Sequence, residues 1–174
     1  MADQGGFDEF YLATRRTLLR QLTAMTADPE LSADVLQEAY SRAWQRWDRV
    51  SQMLDPLAWV RTVAWRLAIS QFRRTNVARR FAHLVHTANE DEKSRGSAHE
   101  QVMDVQAALR KLPPDHRRAL VLHDLCGLSV AEVAAETGTQ QGTVKSRLSR
   151  ARDKLAAVLG EDYPHDRDAT ESVP

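Results

Sequence analysis

The 174-residue chain is long enough for one domain or two small ones, and its 24 basic and 24 acidic side chains give a formal net charge of zero, which argues against a general polyanion binder. Cys126 is the only cysteine, which excludes an internal disulfide and a thiolate-rich metal site. Glycine and proline are few and long polar-apolar alternation is absent, so we predict an all-α fold. Neither a leader-like start nor an apolar run of the ~18 residues that span a membrane is present, so we expect a soluble, cytoplasmic protein without membrane insertion.

The charges are segregated along the chain. Residues 57–80 contain no acid, whereas residues 161–171 are mainly acidic. The arginines of the acid-free segment are Arg61, Arg66, Arg73, Arg74, Arg79 and Arg80. A neutral chain can therefore present a locally basic surface to a polyanion.

The first part of the chain predicts two amphipathic helices. Apolar residues recur at helical spacing from Phe7 to Met25, Asp28-Pro29 interrupts the pattern, and a second helix covers about Leu31 to Trp47. We expect residues 1–6 to be disordered. The inner face of the second helix is predicted to carry Val35, Ala39, Tyr40, Ala43, Trp44 and Trp47.

The outer face of that helix carries a small acidic and amide cluster. Its members are Asp34, Gln37, Glu38 and Ser41. Such a cluster either is solvated or docks a basic helix of a partner, and composition alone favours solvation.

A third long helix is predicted from Leu57 to Arg74, introduced by Asp55-Pro56, since proline is favoured at the first helical position. It buries Leu57, Val60, Ala64, Leu67 and Ala68. The opposite side carries Trp59, Thr62, Trp65, Arg66, Ile69 and Arg73. Arg61 belongs to the same set of candidate residues. Aromatic rings interleaved with guanidinium groups suit stacking of unpaired bases and neutralisation of phosphates, although for Trp59 and Trp65 core packing is the favoured alternative.

Apolar periodicity is lost after Thr75, and we interpret residues 76–100 as a flexible linker. As an alternative, the preceding helix extends through Leu84 and the linker begins after it. Apolar periodicity resumes at residue 101, Pro113-Pro114 punctuates it, and the next helix carries Ala119, Leu120, Leu122 and Leu125 inward.

Residues 128–155 predict a helix-turn-helix. Ser129 and Glu132 have capping-box spacing, and Gly138 suits a left-handed turn. The second helix buries Val144, Leu148, Ala151 and Leu155, which fall on one stripe at about 100° per residue. Its other face therefore carries Ser146, Ser149, Arg150 and Asp153, with Lys145 and Arg147 on the flanks. This pattern is typical of a helix that lies in the major groove, and the alternative is a plain helical hairpin with a solvated basic face.

No catalytic or cofactor site is indicated. His123 and Cys126 could contribute two metal ligands, but no second pair stands near them in sequence. No nucleophile-base set or phosphate-binding loop is present, so we expect a protein that is not an enzyme and uses no cofactor or metal.

Four segments in this order resemble the extracytoplasmic-function sigma factors, the smallest bacterial transcription initiation factors, of the SigE-like actinobacterial type. The segments are DVLQEAYSRAW (Asp34–Trp44), DPLAWVRTVAWRLAIS (Asp55–Ser70), ALRKLPPDHRRALVLHDLCGLS (Ala108–Ser129) and GTVKSRLSRARDKL (Gly142–Leu155). The resemblance spans Phe7 to Leu159. It implies sigma domain two over residues 7–75, a linker over 76–100, sigma domain four over 101–160 and an acidic tail, expected to be disordered, over 161–174.

The resemblance also implies partners and roles. The cluster Asp34, Gln37, Glu38 and Ser41 would bind the largest subunits of core RNA polymerase. Residues 50–56 and the helix after them would open and read the minus-ten element, where an extruded base enters a loop pocket. The linker would thread the polymerase toward the RNA exit channel. The second unit would read the minus-thirty-five element of promoter DNA through Thr143, Lys145, Ser146, Arg147, Ser149 and Arg150. An anti-sigma factor is a further class of partner whose existence the sequence leaves open.

Three departures from the family pattern limit the transfer. Many relatives carry Asn and Asp where this chain has Arg66 and Ser70, so minus-ten preference cannot be copied across. Ser149 is smaller than its counterpart in some relatives, and from the short acidic tail after Leu159 we expect no added regulatory domain. A stand-alone helix-turn-helix regulator is the alternative function, and it would require a dimer interface that no leucine seam indicates.

Overall fold

A computed structural model of the chain describes residues 4–82 and 100–159, and it describes side chains over 5–74 and 105–159. Within those ranges the protein is helical with connecting turns and has no strand, which confirms the predicted all-α class. The chain divides into two compact units, Met1–Gly96 (unit 1) and Ser97–Pro174 (unit 2).

Unit 1 is built from three long helices and one short turn of helix. The described elements are α1 (Gln4–Thr26), α2 (Pro29–Gln45), α3 (Trp47–Val50) and α4 (Pro56–Ala82). Helix α1 begins inside the segment that we expected to be disordered, so that expectation is wrong for residues 4–6. Residues 1–3 lie outside the described residues.

Short polar side chains set where α2 and α4 begin. The Leu31 amide donates to Asp28 Oδ1 at 3.0 Å, and the Ala58 amide donates to Asp55 Oδ1 at 2.9 Å. In both cases a proline is the next residue, and it needs no hydrogen-bond partner at the first helical position. The predicted breaks at Asp28-Pro29 and Asp55-Pro56 are therefore confirmed.

The core of unit 1 lies where α1, α2 and α4 meet. Its fully or nearly buried members are Leu18, Leu22, Val35, Leu36, Ala39, Tyr40, Ala43, Val60, Ala64 and Ala68. Trp44 was predicted to face inward, but 36% of its surface is exposed. One side of its ring packs against Phe7, with ring centroids 5.1 Å apart, and the other faces solvent, because Trp44 lies at the edge of the contact between α1 and α2.

Helix α4 continues past its predicted end at Arg74 to Ala82. Residues 75–82 contain neither proline nor glycine, so nothing in that stretch stops a helix. The first part of the predicted linker is thus helical, as the alternative start allowed, and residues 83–99 lie outside the described residues.

Unit 2 contains α5 (Glu100–Arg110), α6 (Pro114–Leu120), α7 (Val130–Thr137) and α8 (Gln141–Leu159). After Leu120, α6 widens into a π-helical turn over Val121–Leu125, which the Cys126 amide closes by donating to the Val121 carbonyl at 2.9 Å. The extra residue per turn rotates the positions that follow. Leu125, predicted to be buried, is consequently 52% exposed.

The predicted helix-turn-helix consists of α7 and α8. Ser129 and Glu132 form the reciprocal capping box, and Gly138 ends α7 with φ of +66°. Helix α8 buries the predicted stripe of Val144, Leu148, Ala151 and Leu155. All of these local predictions are confirmed.

Two buried arginines that the sequence did not predict hold α6 to its neighbours. Arg117 Nη1 donates to the Leu109 carbonyl at 3.1 Å, and Arg118 Nη2 donates to the Glu136 carbonyl at 3.3 Å. Burial lowers the pKa of Arg117. These contacts link α6 to α5 and to α7.

No helix in the described part of the chain is long and apolar enough to cross a membrane.

Replacing Leu148 with alanine should destabilise unit 2. Leu148 is only 4% exposed, and truncation of a buried leucine costs roughly 2–5 kcal/mol through lost burial and the cavity left behind. Urea unfolding followed by circular dichroism measures the loss. The neighbouring exposed Ser149→Ala variant is the control and should change the free energy of unfolding by less than about 0.5 kcal/mol. Equal stability of the two variants would contradict the packing described for α8.

Candidate protein and nucleic-acid interfaces

The acidic and amide cluster of α2 lies on the surface. Asp34, Gln37, Glu38 and Ser41 are all exposed. Glu38 Oε1 accepts from Arg42 Nε at 2.8 Å, one helical turn away. Surface pairs of this kind contribute about 0–1 kcal/mol, so Glu38 can exchange Arg42 for another cation at little cost.

Next to this cluster, α1 and α2 form a groove of about 870 Å³. Gln37 and Ser41 lie on its α2 side, and Tyr40 and Trp44 contribute aromatic surface. Desolvation raises the pKa of Tyr40, whose hydroxyl is 2.7 Å from Thr14 Oγ1. The Tyr40 side chain is therefore neutral and contributes packing and one hydrogen bond between α1 and α2.

The α1 side of the groove was missed by sequence reasoning. It consists of Phe7, Asp8, Tyr11, Arg15, Arg16 and Leu19. Leu19 is 38% exposed. This leucine, which lies outside the predicted inner face of α1, was the available signal for an apolar surface here.

Two residues predicted to contact minus-ten DNA are buried instead. Arg61 is 2% exposed and Trp65 is 4% exposed. Arg61 Nη1 donates to Gln21 Oε1 of α1 at 3.2 Å, inside the unit. Helix α4 packs against both α1 and α2, so its buried face is wider than the single predicted stripe and includes positions 61 and 65. We therefore correct these two assignments: both side chains stabilise unit 1, and the favoured alternative for Trp65 was the right one.

The other predicted minus-ten residues remain accessible. Arg66 and Arg73 are exposed, and Trp59, Thr62 and Ile69 are half-buried. Trp59 and Arg66 lie together at a cavity of about 390 Å³ between α2 and α4, which we call the arginine cavity. Its full lining is Arg42, Arg46, Trp59, Val63, Arg66 and Leu67. Sequence reasoning missed Arg42 and Arg46, whose spacing of one helical turn was the only signal.

The predicted recognition face of α8 is open to solvent. Thr143, Lys145, Ser146, Ser149 and Arg150 are exposed. Arg147 is different, because its Nη2 donates to Asp115 Oδ2 at 2.9 Å and only 20% of its side chain is exposed. Arg147 is thus held toward α6.

His116, beside Asp115 on α6, has a lowered pKa. Burial is the largest cause, and the positive charges of Arg147, Arg150 and Lys154 add to it against the opposing effect of Asp115. The imidazole is therefore biased toward its neutral form beside a basic helix.

His123 and Cys126, the pair considered as metal ligands, have other surroundings. His123 Nδ1 lies 2.8 Å from Asp124 Oδ1, which also accepts from Arg152 Nη2 at 2.8 Å. Cys126 is half-buried. Among the side chains that the structure describes, those of residues 5–74 and 105–159, no group of three His, Cys, Asp or Glu residues is placed to hold a metal ion.

Comparison with known proteins matches a segment of each unit to a family model. Residues 10–78 match the model of Sigma-70 region 2, and residues 103–155 match that of Sigma-70, region 4. The chain is 32% identical over 143 residues to the ECF RNA polymerase sigma factor EcfG of Rhodopseudomonas palustris, covering 82% of this chain and 79% of that one. The chain belongs to the extracytoplasmic-function (ECF) RNA polymerase sigma factor family.

Other comparisons agree with this family assignment. The chain is 32% identical over 161 residues to the ECF RNA polymerase sigma factor SigC of Mycobacterium tuberculosis, covering 89% of this chain and 84% of that one. Its fold is similar to that of the sigma factor RpoE from Bartonella quintana in complex with the anti-sigma factor NepR. That likeness has a TM-score of 0.75 at 26% identity and covers 90% of this chain and 98% of the other. Sigma factors are transcription initiation factors, not catalytic enzymes.

Replacing Arg61 with alanine should lower the stability of the sigma factor, because a buried amide of Gln21 loses its donor. A hydrogen bond that involves a charged group contributes about 1.5–3 kcal/mol, and thermal unfolding of the full chain measures its loss. Arg66→Ala, an exposed position on the same helix, is the matched control and should leave the unfolding temperature nearly unchanged. Unchanged stability in Arg61→Ala would contradict the structural role given to this guanidinium.

Proposed function

We propose that this sigma factor divides its work between the two units. Unit 1 joins core RNA polymerase through α2 and captures melted minus-ten DNA along α4, and unit 2 reads the minus-thirty-five element through α8. The factor itself performs no chemistry. The observation that carries the proposal is that polar and basic side chains stand on the exposed faces of α2, α4 and α8, which lie within the segments that match sigma regions, while the buried faces of these helices are mainly apolar.

The polymerase contact is assigned to Asp34, Gln37, Glu38 and Ser41. All four are exposed, and Gln37 and Ser41 adjoin the aromatic groove between α1 and α2. A basic amphipathic helix of the polymerase would meet carboxylates and an apolar surface side by side. Because Glu38 is engaged only by an exposed ion pair with Arg42, docking costs little in broken contacts.

The minus-ten contact is assigned to the accessible side of α4 and the loop before it. Arg61 and Trp65 are buried and are no longer part of that surface. The predicted residues that remain on it are Trp59, Thr62, Arg66, Ile69 and Arg73. Exposed guanidinium groups supply phosphate neutralisation, and a half-buried indole supplies a stacking surface. Capture of unpaired bases would drive melting.

The minus-thirty-five contact is assigned to Thr143, Lys145, Ser146, Arg147, Ser149 and Arg150 of α8. A helix presented by a helix-turn-helix reads bases with residues that project from its exposed face. Ser146, Ser149 and Arg150 project from that face, whereas the ion pair of Arg147 with Asp115 favours a role at the phosphate backbone. Base reading therefore rests mainly on Arg150.

Several finer assignments extend this proposal. We place domain two at residues 7–75, domain four at 101–160 and the polymerase-threading linker at 76–100. We also propose a cytoplasmic location, where the polymerase acts, and the SigE-like actinobacterial subclass. Because RpoE of Bartonella quintana is seen with an anti-sigma factor, we propose that an anti-sigma protein controls this factor as well.

Reversing the charge of Asp34 and Glu38 together, with lysine at both positions, should weaken binding to core polymerase by at least about tenfold, because like charges then oppose the docking helix. Competition of the variant against wild type for purified core polymerase measures the effect. Glu30→Lys, a charge reversal at an exposed site in the first turn of α2, is the control. Normal competition by the double variant would remove α2 from the docking role, provided that circular dichroism shows unchanged helicity.

Replacing Arg150 with alanine should cost on the order of 1–3 kcal/mol on the preferred promoter and relax preference at one or two base pairs, if its guanidinium pairs with a base edge. Arg147→Ala should instead weaken all sequences alike, since its expected contact is a phosphate. Selection of minus-thirty-five sequences by holoenzyme with each variant measures both effects. Unchanged base preference and promoter strength in Arg150→Ala would contradict the reading role of α8.

A further inference from the structure

We propose that the acidic tail, residues 161–174, turns back along α8 and covers its exposed basic face, so that promoter DNA has to displace the tail before it reaches the recognition helix. The partner of this face in the absence of DNA is thus a segment of the same chain. The inference rests on the reading role proposed for α8 and adds a regulation of that site. Residues 160–174 lie outside the described residues.

The charges of the two segments are complementary. Helix α8 carries five basic side chains and one acidic side chain, Asp153. The tail carries one basic side chain, Arg167, and five acidic ones. The acidic residues are Glu161, Asp162, Asp166, Asp168 and Glu171. The two segments therefore have equal net charges of opposite sign and attract each other, most strongly at low salt.

Three of the five cations of α8 are available to the tail. Arg147 and Arg152 are held in ion pairs with carboxylates of preceding elements of unit 2. Lys145, Arg150 and Lys154 are exposed, and none of them has a carboxylate partner within 4 Å among the side chains of residues 105–159. We call these three residues the basic strip. Arg150 and Lys154 are one helical turn apart, so the strip leads from the recognition positions toward the end of α8 at which the tail begins.

His116 of α6 senses the positive potential beside this strip. Its pKa is lowered first by burial and then by the charges of Arg147, Arg150 and Lys154, against the opposing effect of Asp115. The fold of unit 2 thus leaves positive charge on this side of α8 that its own carboxylates do not balance. A segment rich in carboxylates stabilises such a surface, because opposite charges nearby favour the charged forms of both groups.

The tail is long enough to reach the whole strip. Arg150 and Lys145 precede Leu159 by nine and fourteen residues, about 14 and 21 Å along a helix that rises about 1.5 Å per residue. The fifteen residues after Leu159 can span up to about 50 Å when extended. The first of them is Gly160, and glycine readily takes the left-handed conformation with which chains leave helices. A chain that reverses there brings the last three carboxylates of the tail to the strip.

Covalent attachment favours the chain's own tail over the tail of a second copy. A segment joined by a short tether acts at an effective concentration on the order of millimolar, so several individually weak ion pairs suffice to occupy the face. The same weakness lets DNA replace the tail, because the phosphates of a duplex present a denser negative charge. The tail therefore sets a threshold for DNA binding without abolishing it.

Zero-length carbodiimide cross-linking of the full chain tests the contact without DNA or polymerase. The reagent condenses a lysine amine and a carboxylate that touch each other into an amide and takes up the water itself. We expect mass spectrometry of the monomer to find tail carboxylates joined to Lys145 and Lys154 at low salt, and to find these products reduced at high salt. Lys111, an exposed lysine of the same unit outside α8, is the control. Equal cross-linking of Lys111 would overturn the proposal, as would products found only in dimers, which would assign the tail to a second copy.

Neutralising the tail tests its competition with DNA. The triple variant Asp166→Asn, Asp168→Asn and Glu171→Gln, assembled with core polymerase, should bind a duplex promoter fragment selected by wild-type holoenzyme on the order of three- to tenfold more tightly at low salt. The difference should disappear at high salt, where ion pairs of the tail are screened. Binding of each variant to core polymerase is measured separately.

The matched control removes the same number of charges from exposed sites of unit 1, through Glu9→Gln, Glu30→Gln and Asp48→Asn together. Its affinity for the fragment should stay within about twofold of wild type. An equal gain in both triple variants would reduce the effect to general repulsion of DNA by the net charge and overturn the proposal, and so would no gain in the tail variant. If wild-type holoenzyme selects no minus-thirty-five sequence, the proposed function fails, whereas the cross-linking result still decides whether the tail lies on α8.

Discussion

The packing of α4 against α1 and α2 is the interaction on which unit 1 depends. Val60, Ala64 and Ala68 are each 0% exposed, and small side chains such as alanine let neighbouring helices approach closely. This approach brings Arg42 of α2 and Arg46, which follows the last residue of α2, to the same cavity as Trp59 and Arg66 of α4. The basic surface of unit 1 is therefore shared by two helices and requires the core to be intact.

The same packing separates structural from functional cations. Arg61 points into the unit and bonds to Gln21, whereas Arg66, one turn and a little further along α4, is exposed. Unit 2 shows a comparable separation, since Arg117 and Arg118 are buried against backbone carbonyls while Arg150 faces solvent. A cationic residue near a binding surface thus takes its role from its neighbours in the fold, not from its charge alone.

Features set by local chemistry were predictable from the sequence. The caps at Asp28, Asp55 and Ser129 and the left-handed Gly138 depend on residues within a few positions, and the α8 stripe depends only on helical spacing. The errors at Trp44, Arg61, Trp65 and Leu125 have another origin. The exposure of Trp44, Arg61 and Trp65 depends on how many helices pack around each residue, and that of Leu125 depends on a π-helical turn. The apolar periodicity of a single helix carries no information on either feature. The site residues on α2 and α8 were predicted to lie on outer faces, and all of them except the half-buried Arg147 are exposed. Arg42 and Arg46 were missed because their neighbours in the cavity come from another helix.

Run-off transcription with purified core polymerase on genomic promoter fragments tests most directly whether this chain acts as a sigma factor. The account predicts that core polymerase initiates at discrete promoters only when the factor is added, and that factor and polymerase co-purify as one complex. Binding of the free factor to duplex DNA as a dimer, with no factor-dependent transcript and no association with core polymerase, would contradict it and favour a stand-alone helix-turn-helix regulator.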